Sequence, residues 1–359
     1  NIDPPTIRHT AGWFFYTYFQ AYGSAQDPWA LTRQGPPVLW RRKEGSMNFY
    51  RIEDEIEFTD RRQRLIDGMM QQMRGKGYRY MEPVMFEDYD AFVGENSMIE
   101  GKSTVKVLSN DGNISILARD LTSGLISAIL RRCDADSRLR IMYCGKVFRN
   151  TSSGIQEIRK LGAEYLGEDS LSADLEILEM AMDIMSGLSK DYIFEIGSSS
   201  FLRNLIKDLG LSLESYLEIM EIIYRKDAFR LGRYISEFED SQSRRMLENI
   251  FSLSGTFEEI MSRMKELGAG SGLISSLSQL EETDSFIRQK GLEKNVVYDL
   301  STVSELNYYS GIIFRAYIKD SNGAVIKGGR YRASSPGVNA QMSATGFSVE
   351  IDRLTHILV

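Results

Sequence analysis

"VFRNTSSGIQEIRKLGAEYLG", residues 147–167, holds the pattern that decides the fold. A short polar turn lies between "LRIMYCGKVFRN" and "QEIRKLGAEYLG", two segments with the composition of β-strands. Arg149 stands near the end of the first segment, and Glu164 stands in an apolar part of the second. The pattern predicts a β-hairpin that presents an arginine and a glutamate to a ligand.

More strands and helices are predicted on both sides of this hairpin. "STVKVLSNDGNISILARD" predicts two strands around an Asn-Asp-Gly turn. Strands return in "KNVVYDLS", "NYYSGIIFRAYIKD", "AVIKGGRY" and "MSATGFSVE". Helices are predicted in "EIEFTDRRQRLIDGMMQQMRG", from about 122 to 132, in "SADLEILEMAMDIMSGL" and in "IDRLTHIL". Hairpins and helices without regular βαβ alternation indicate an α+β fold on a largely antiparallel sheet.

Residues from about 200 to 290 show an almost purely helical pattern, which predicts a helical insertion between two halves of the sheet. One predicted helix carries an apolar face of five residues, and another opens with a capping box of Thr256 and Glu259. The five residues of the apolar face are Leu213, Tyr216, Leu217, Met220 and Ile223.

Composition excludes several classes of function. The 359 residues carry a net charge of −7, which does not favour nucleic-acid binding. Two cysteines, Cys133 and Cys144, are too few for a disulfide framework or a zinc site and favour a cytoplasmic location. The two histidines, His9 and His356, lie near the termini, so no metal site is expected. No apolar run reaches the roughly 20 residues of a membrane span, and no nucleotide-binding glycine motif or cofactor motif is present.

Residues 1–46 differ from the rest of the chain. They hold all three tryptophans, show no periodicity and end in Gly-Ser before Met47. We interpret them as tag or vector-derived sequence or a disordered arm, and the alternative is a native arm that docks on a partner. The synthetase-like domain described next is predicted to cover residues 47–359.

Four stretches resemble the catalytic domain of histidyl-tRNA synthetase, a class II aminoacyl-tRNA synthetase. They are similar in particular to a paralogous family, the regulatory subunits of ATP phosphoribosyltransferase in histidine biosynthesis. The resemblance implies a class II synthetase-like antiparallel sheet flanked by helices. The four stretches are "ARDLTSG" (118–124), "FRNTSSGIQEIRKLGAEYLG" (148–167), "LNYYSGIIF" (306–314) and "GGRY…ATGFSVEIDRL" (328–354).

Against the synthetase motifs, the residues for ATP chemistry are altered. Thr151 stands where the synthetases carry a glutamate that reads adenine, and Ile158 stands where an aromatic residue stacks on adenine. Glu350 replaces the glycine over which ATP lies, although Arg353 is retained. Ser304 aligns with the arginine that neutralises charge in adenylate formation. The resemblance therefore implies a protein without catalytic residues for aminoacyl-adenylate formation.

The residues for the amino acid are better preserved. In the synthetase they bind the α-ammonium, the carboxylate and the imidazole of histidine, for which charge-assisted contacts are suited. Lys160 departs from the pattern because a glutamine normally stands there. The histidine-binding candidates are Asp120, Thr122, Arg149, Lys160, Glu164, Tyr308, Tyr309, Gly329 and Tyr331.

Simpler interpretations remain open for these residues. Asp120 or Thr122 could cap the helix that follows, and Glu164 could form an internal ion pair with Lys160 or an arginine. One of the two tyrosines, Tyr308 or Tyr309, should face the core because side chains alternate along a strand. Gly328 and Gly329 could form only a bulge, and Arg149 could be a surface residue.

The resemblance implies a non-catalytic subunit that binds and activates a short-form ATP phosphoribosyltransferase catalytic subunit and mediates feedback by L-histidine. It also implies a homodimer built near residues 56–90 within a hetero-oligomer. No anticodon-binding domain follows the third motif, so tRNA is not an expected partner. The alternatives are a divergent histidine-activating ligase and a module that binds a different amino acid.

Overall fold

The computed structural model describes residues 51–89, 104–134, 136–152, 154–239, 241–303, 309–335 and 338–358. Within these residues a nine-stranded sheet has the order β1-β5-β6-β12-β11-β10-β7-β9-β8, and a small sheet has the order β2-β4-β3. The strands are β1 (Arg79–Tyr80), β2 (Phe86–Asp88), β3 (Lys106–Leu108), β4 (Ile114–Leu117), β5 (Leu139–Thr151), β6 (Gly154–Leu166), β7 (Tyr192–Ser198), β8 (Ser254–Gly255), β9 (Val296–Asp299), β10 (Tyr309–Ile318), β11 (Ile326–Ser335) and β12 (Val338–Glu350).

Helices cover the sheet and, apart from the two-residue strand β8, make up most of residues 199–295 between β7 and β9, which we call the helical segment. They are α1 (Ile52–Gly75), α2 (Leu121–Leu130), α3 (Leu171–Leu188), α4 (Ser199–Lys207), α5 (Leu213–Tyr224), α6 (Ala228–Ile235), α7 (Gln242–Glu248), α8 (Phe257–Glu266), α9 (Ser271–Ser275), α10 (Ser278–Gln289) and α11 (Ile351–Ile357). The predicted capping box of Thr256 and Glu259 opens α8. Across the described chain, no helix is both long and apolar enough to cross a membrane.

The predicted hairpin of β5 and β6 is confirmed. Its strands pair antiparallel over their whole length, from Leu139 opposite Leu166 to Thr151 opposite Gly154. The strand pairs of the large sheet are antiparallel except β1 with β5 and β7 with β9. The prediction of a largely antiparallel sheet is therefore also confirmed.

The two faces of the sheet bury different cores. Because side chains alternate along a strand, Met142 packs in the large core, which also holds buried residues of α1 and α3. Its neighbour Tyr143 packs in a smaller core with Leu121 and Leu125 of α2. The face covered by α2 is the one that carries the candidate ligand-binding residues.

A buried ion pair fixes α3 to the sheet. Arg330 on β11 places Nε 2.9 Å from both carboxylate oxygens of Asp174. Other guanidinium nitrogens donate to the carbonyl oxygens of Glu168 and Ser170 at 2.8 and 2.9 Å. The arginine of the Gly-Gly-Arg-Tyr run therefore has a structural role, because it hydrogen-bonds the backbone carbonyl groups just before α3.

Helix α5 buries only part of the apolar face that the sequence predicts. Leu213 is 74% exposed and Leu217 is 44% exposed, although both belong to that face. Ile223 of the same face is fully buried, and Tyr216 and Met220 pack against the large core. Periodicity alone could not show how much of the apolar face packs against the protein. Residues 1–46 lie outside the described residues, so their interpretation stays a prediction.

Candidate functional site

Glu164, in the middle of β6, is the centre of the candidate site. Only 2% of the residue is exposed. Its Oε1 accepts hydrogen bonds from the hydroxyls of Thr122 at 3.0 Å and Tyr143 at 3.2 Å. Its Oε2 accepts from the hydroxyl of Tyr331 at 2.9 Å. The carboxyl group is therefore surrounded by hydroxyls, which can donate to a carboxylate or adapt to a protonated acid.

Burial dominates the ionisation of Glu164. Removal of the carboxylate from water raises the pKa of Glu164 to about 8, against the lowering effect of the hydrogen bonds from Tyr331, Thr122 and Tyr143. Burial also raises the pKa of Tyr143 and of Tyr331. At neutral pH the site therefore contains a carboxyl group that holds its proton.

Two glycines make room for this arrangement. A Cβ on Gly346 of β12, which lies opposite Glu164, would be 1.8 Å from Oε2 of Glu164. A Cβ on Gly162 would be 2.4 Å from the hydroxyl oxygen of Tyr143, its partner across the hairpin. Glycine inside a strand often marks such a close approach. Both positions admit no side chain without displacing a residue of the site.

Tyr309 and Tyr331 form an aromatic side of the site. Their rings meet edge to face, with centroids 6.5 Å apart and an interplanar angle of 84°. Gly329 lies beneath them with φ +152°, where a Cβ would be 2.4 Å from the carbonyl oxygen of Ile312 and 3.0 Å from Cδ1 of Tyr309. The register between β10 and β11 shifts between Tyr309 and Ile313. The irregularity expected near Gly329 is thus part of the site.

The capping alternatives are resolved for two residues. Asp120 is the N-cap of α2 and accepts from the backbone N–H groups of Thr122 at 3.2 Å and Ser123 at 3.0 Å. Thr122 does not cap the helix with its side chain but donates to Glu164. The alternative ion pair of Glu164 with Lys160 is wrong, because its partners are hydroxyls.

The remaining candidates lie farther from Glu164. Lys160 is half-buried and stands in register with Gly145 and Glu350. Arg149 is half-buried near the end of β5, opposite Gln156. Strand alternation places both cations on the face that carries Glu164. Tyr308 and Ser304 lie outside the described residues.

The altered ATP motif contains a second carboxyl group, with a different environment. Arg353 Nε donates to Glu350 Oε2 at 2.7 Å, and the side chains are 36% and 17% exposed. Ile158 packs beside the smaller core, and Thr151 Oγ1 donates to the carbonyl oxygen of Gly154 at 2.8 Å. The arginine retained from the motif is therefore neutralised by the residue that replaced its glycine.

Sequence reasoning missed Tyr143, Gly346 and the pairing of Glu350 with Arg353. Gly346 left a signal, a glycine within a predicted strand. Tyr143 left none of its own, because its role depends on the register that sets it opposite Gly162. Among the described residues, no group of three or more His, Cys, Asp or Glu could hold a metal ion.

Sequence comparison shows which known proteins this chain resembles. The sequence model of the histidyl-tRNA synthetase family matches residues 55–354. The chain is 26% identical to the ATP phosphoribosyltransferase regulatory subunit of Alkaliphilus metalliredigens, over 86% of this chain and 79% of that protein. It is 28% identical to the protein of the same name from Acetivibrio thermocellus, over 80% of this chain and 70% of that protein.

Solved structures share the fold. An ATP phosphoribosyltransferase regulatory subunit/histidyl-tRNA synthetase from Bacillus halodurans superposes with a TM-score of 0.75 at 23% identity, covering 90% of this chain and 84% of that one. The ATP phosphoribosyl transferase (HisG:HisZ) complex from Thermotoga maritima contains a chain with a TM-score of 0.62 at 20% identity, covering 81% of this chain and 97% of that one. The predicted class II synthetase-like α+β fold is confirmed, and the chain belongs to the histidyl-tRNA synthetase family.

Proposed function

We propose that the chain is a regulatory subunit of ATP phosphoribosyltransferase that forms no aminoacyl-adenylate and senses histidine. The ion pair of Arg353 with Glu350 carries this proposal, because it places a carboxylate in the altered nucleotide motif. A carboxylate there repels the phosphates of ATP and occupies the guanidinium that would attract them. The names of the relatives support the same assignment.

The Glu164 site supports histidine as the ligand. An imidazole has an ordinary pKa of about 6.5, and the pKa of Glu164 is raised to about 8. The carboxyl and the imidazole can therefore share the proton that Glu164 already holds near pH 7. The binding enthalpy at pH 7 should then be nearly the same in buffers with different ionisation enthalpies, because little proton exchange with the buffer is needed.

Two protein partners belong to this proposal. The first is a short-form ATP phosphoribosyltransferase catalytic subunit, in line with the complex described for the Thermotoga maritima neighbour. The second is another copy of this chain, in a cytoplasmic assembly that does not include tRNA. Exposed apolar side chains at Ile52, Ile56, Val84 and Phe86 support a dimer interface in that part of the chain.

Reconstitution with a short-form catalytic subunit tests the assignment. The purified pair should show phosphoribosyltransferase activity that the catalytic subunit alone lacks, and histidine should inhibit that activity. Histidine-dependent ATP–pyrophosphate exchange by this chain at a synthetase-like rate would instead show a histidine-activating ligase. Absence of complex formation together with absence of histidine binding would also contradict the proposal.

A further inference from the structure

Two side chains of α4, the first helix of the helical segment, donate to one backbone oxygen at the edge of the candidate site. Helix α4 begins directly after β7, at Ser199. Ser199 Oγ donates to the carbonyl oxygen of Tyr309 at 3.0 Å, and Arg203 Nη2 donates to the same oxygen at 2.5 Å. Residues four apart on a helix lie on one face. This face of α4 is therefore directed at the first residue of β10.

Tyr309 connects that contact to the acid of the pocket. Its ring lies over Gly329 and meets the ring of Tyr331 edge to face. The hydroxyl of Tyr331 donates to Glu164. A displacement of the Tyr309 backbone would therefore move the aromatic group that packs against a direct partner of Glu164.

The sheet holds Tyr309 less firmly than it holds the rest of β10. Pairing with β11 shifts register between Tyr309 and Ile313, and regular pairing with β7 begins only at Ile312. A break in the ladder locally disrupts the pairing, so this strand end has fewer regular pairings than the rest of β10. Arg203 is exposed and directs its charge to a neutral carbonyl group, which makes a charge-assisted hydrogen bond.

We propose that Arg203 is a positioning residue for the amino-acid pocket, through which the helical segment sets the affinity of the pocket for its ligand. This inference rests on the proposed function. By linkage, a ligand that favours one position of Tyr309 also favours one position of α4. A protein that docks on the helical segment and shifts α4 would change ligand affinity without touching the pocket.

Arg203→Met and Lys207→Met form a matched pair of variants. Lys207 is exposed on the same helix and makes no side-chain polar contact within the described residues. Calorimetry should show histidine affinity weakened about tenfold in Arg203→Met, the size of one lost hydrogen bond to a charged group, and unchanged in Lys207→Met. Arg203→Lys, which keeps one donor, should give an intermediate affinity. Equal thermal unfolding midpoints would show that folding is unaffected.

Hydrogen exchange without ligand separates this inference from the proposed function. The peptide that contains Tyr309 should exchange faster in Arg203→Met than in the wild type or in Lys207→Met. Unchanged exchange, or unchanged histidine affinity in a wild type that binds histidine, would overturn the positioning role. A wild type that does not bind histidine, alone or with the catalytic subunit, would contradict the histidine-sensing part of the proposed function, and the exchange result would then decide the role of Arg203 by itself.

Discussion

Two carboxyl groups on one face of the sheet have opposite environments. Glu164 is buried among three hydroxyls, and its raised pKa keeps it protonated near neutral pH. Glu350 is partly exposed and paired with Arg353. Gly346 lies opposite Glu164 and Glu350 lies opposite Lys160, so the two acids are separated by four residues along paired strands, about 13 Å.

This separation allows the surroundings of one acid to change without a change in the surroundings of the other. Glu164 keeps partners that can rearrange around a ligand, because hydroxyls both donate and accept. Glu350 has an internal cation, so its position is closed to an external anion. The substitution at Glu350 requires no change in the packing around Glu164.

Replacement of Glu164 should have the largest effect and tests the buried member of the comparison. The folded pKa of Glu164, about 8, lies above its ordinary value of 4.5. Between these values the unfolded chain releases the proton while the folded protein keeps it, so stability falls as pH rises. Between pH 5 and pH 8 the free energy of unfolding should fall by on the order of 3 kcal/mol from this group. Glu164→Gln should remove that part of the pH dependence.

Chemical denaturation of the wild type and Glu164→Gln over this pH range measures the difference. The same change in stability with pH in both proteins would show that Glu164 is ionised in the folded state. The contrast between a protonated Glu164 and a Glu350 that is paired with a cation would then be wrong.

Gly346→Ala should destabilise the protein through its close approach to Glu164. The new Cβ would meet Glu164 Oε2 at 1.8 Å and the carbonyl oxygen of Ala163 at 2.6 Å. Overpacking of this kind costs about 2 kcal/mol, and it should also abolish histidine binding. Gly68→Ala is the control, because a Cβ there meets nothing within 4 Å and lies inside α1. The control should stabilise the protein by about 0.5 kcal/mol, and equal effects of the two substitutions would contradict the close approach at Gly346.

Tyr331→Phe should have an intermediate effect. It removes the hydroxyl that donates to Glu164 Oε2 and leaves the ring against Tyr309. The expected loss is about 1 kcal/mol of stability near pH 7. In Glu164→Gln the same substitution should cost a different amount, because the two side chains interact directly. A double-mutant cycle by denaturation measures the coupling, and additive effects would contradict the hydrogen bond.

Strand and helix positions could be predicted from the sequence because each depends on local pattern and turn chemistry. Glu164 could also be singled out, since an acid in an apolar strand requires a partner. The partners of Glu164 could not be predicted, because Tyr143 reaches Glu164 only across Gly162 once the strands are in register. The exposure of Leu213 and Leu217 on α5 could not be predicted for a related reason, because tertiary packing decides which part of an apolar helix face is buried.

Glu350→Ala should have the smallest effect on stability and tests the partly exposed member of the comparison. The pair with Arg353 is partly exposed to solvent, so its loss should cost less than about 1 kcal/mol. Glu248→Ala is a control, because Glu248 also pairs with an arginine, Arg244, although its side chain is more exposed, at 35% against 17% for Glu350. Only Glu350→Ala should gain weak binding of ATP, measured by calorimetry, because it frees Arg353.

A gain in both variants would indicate nonspecific attraction, and a gain in neither would place the exclusion of ATP at Thr151 and Ile158. A loss of stability as large as that of Gly346→Ala would contradict the small contribution expected of this partly exposed ion pair.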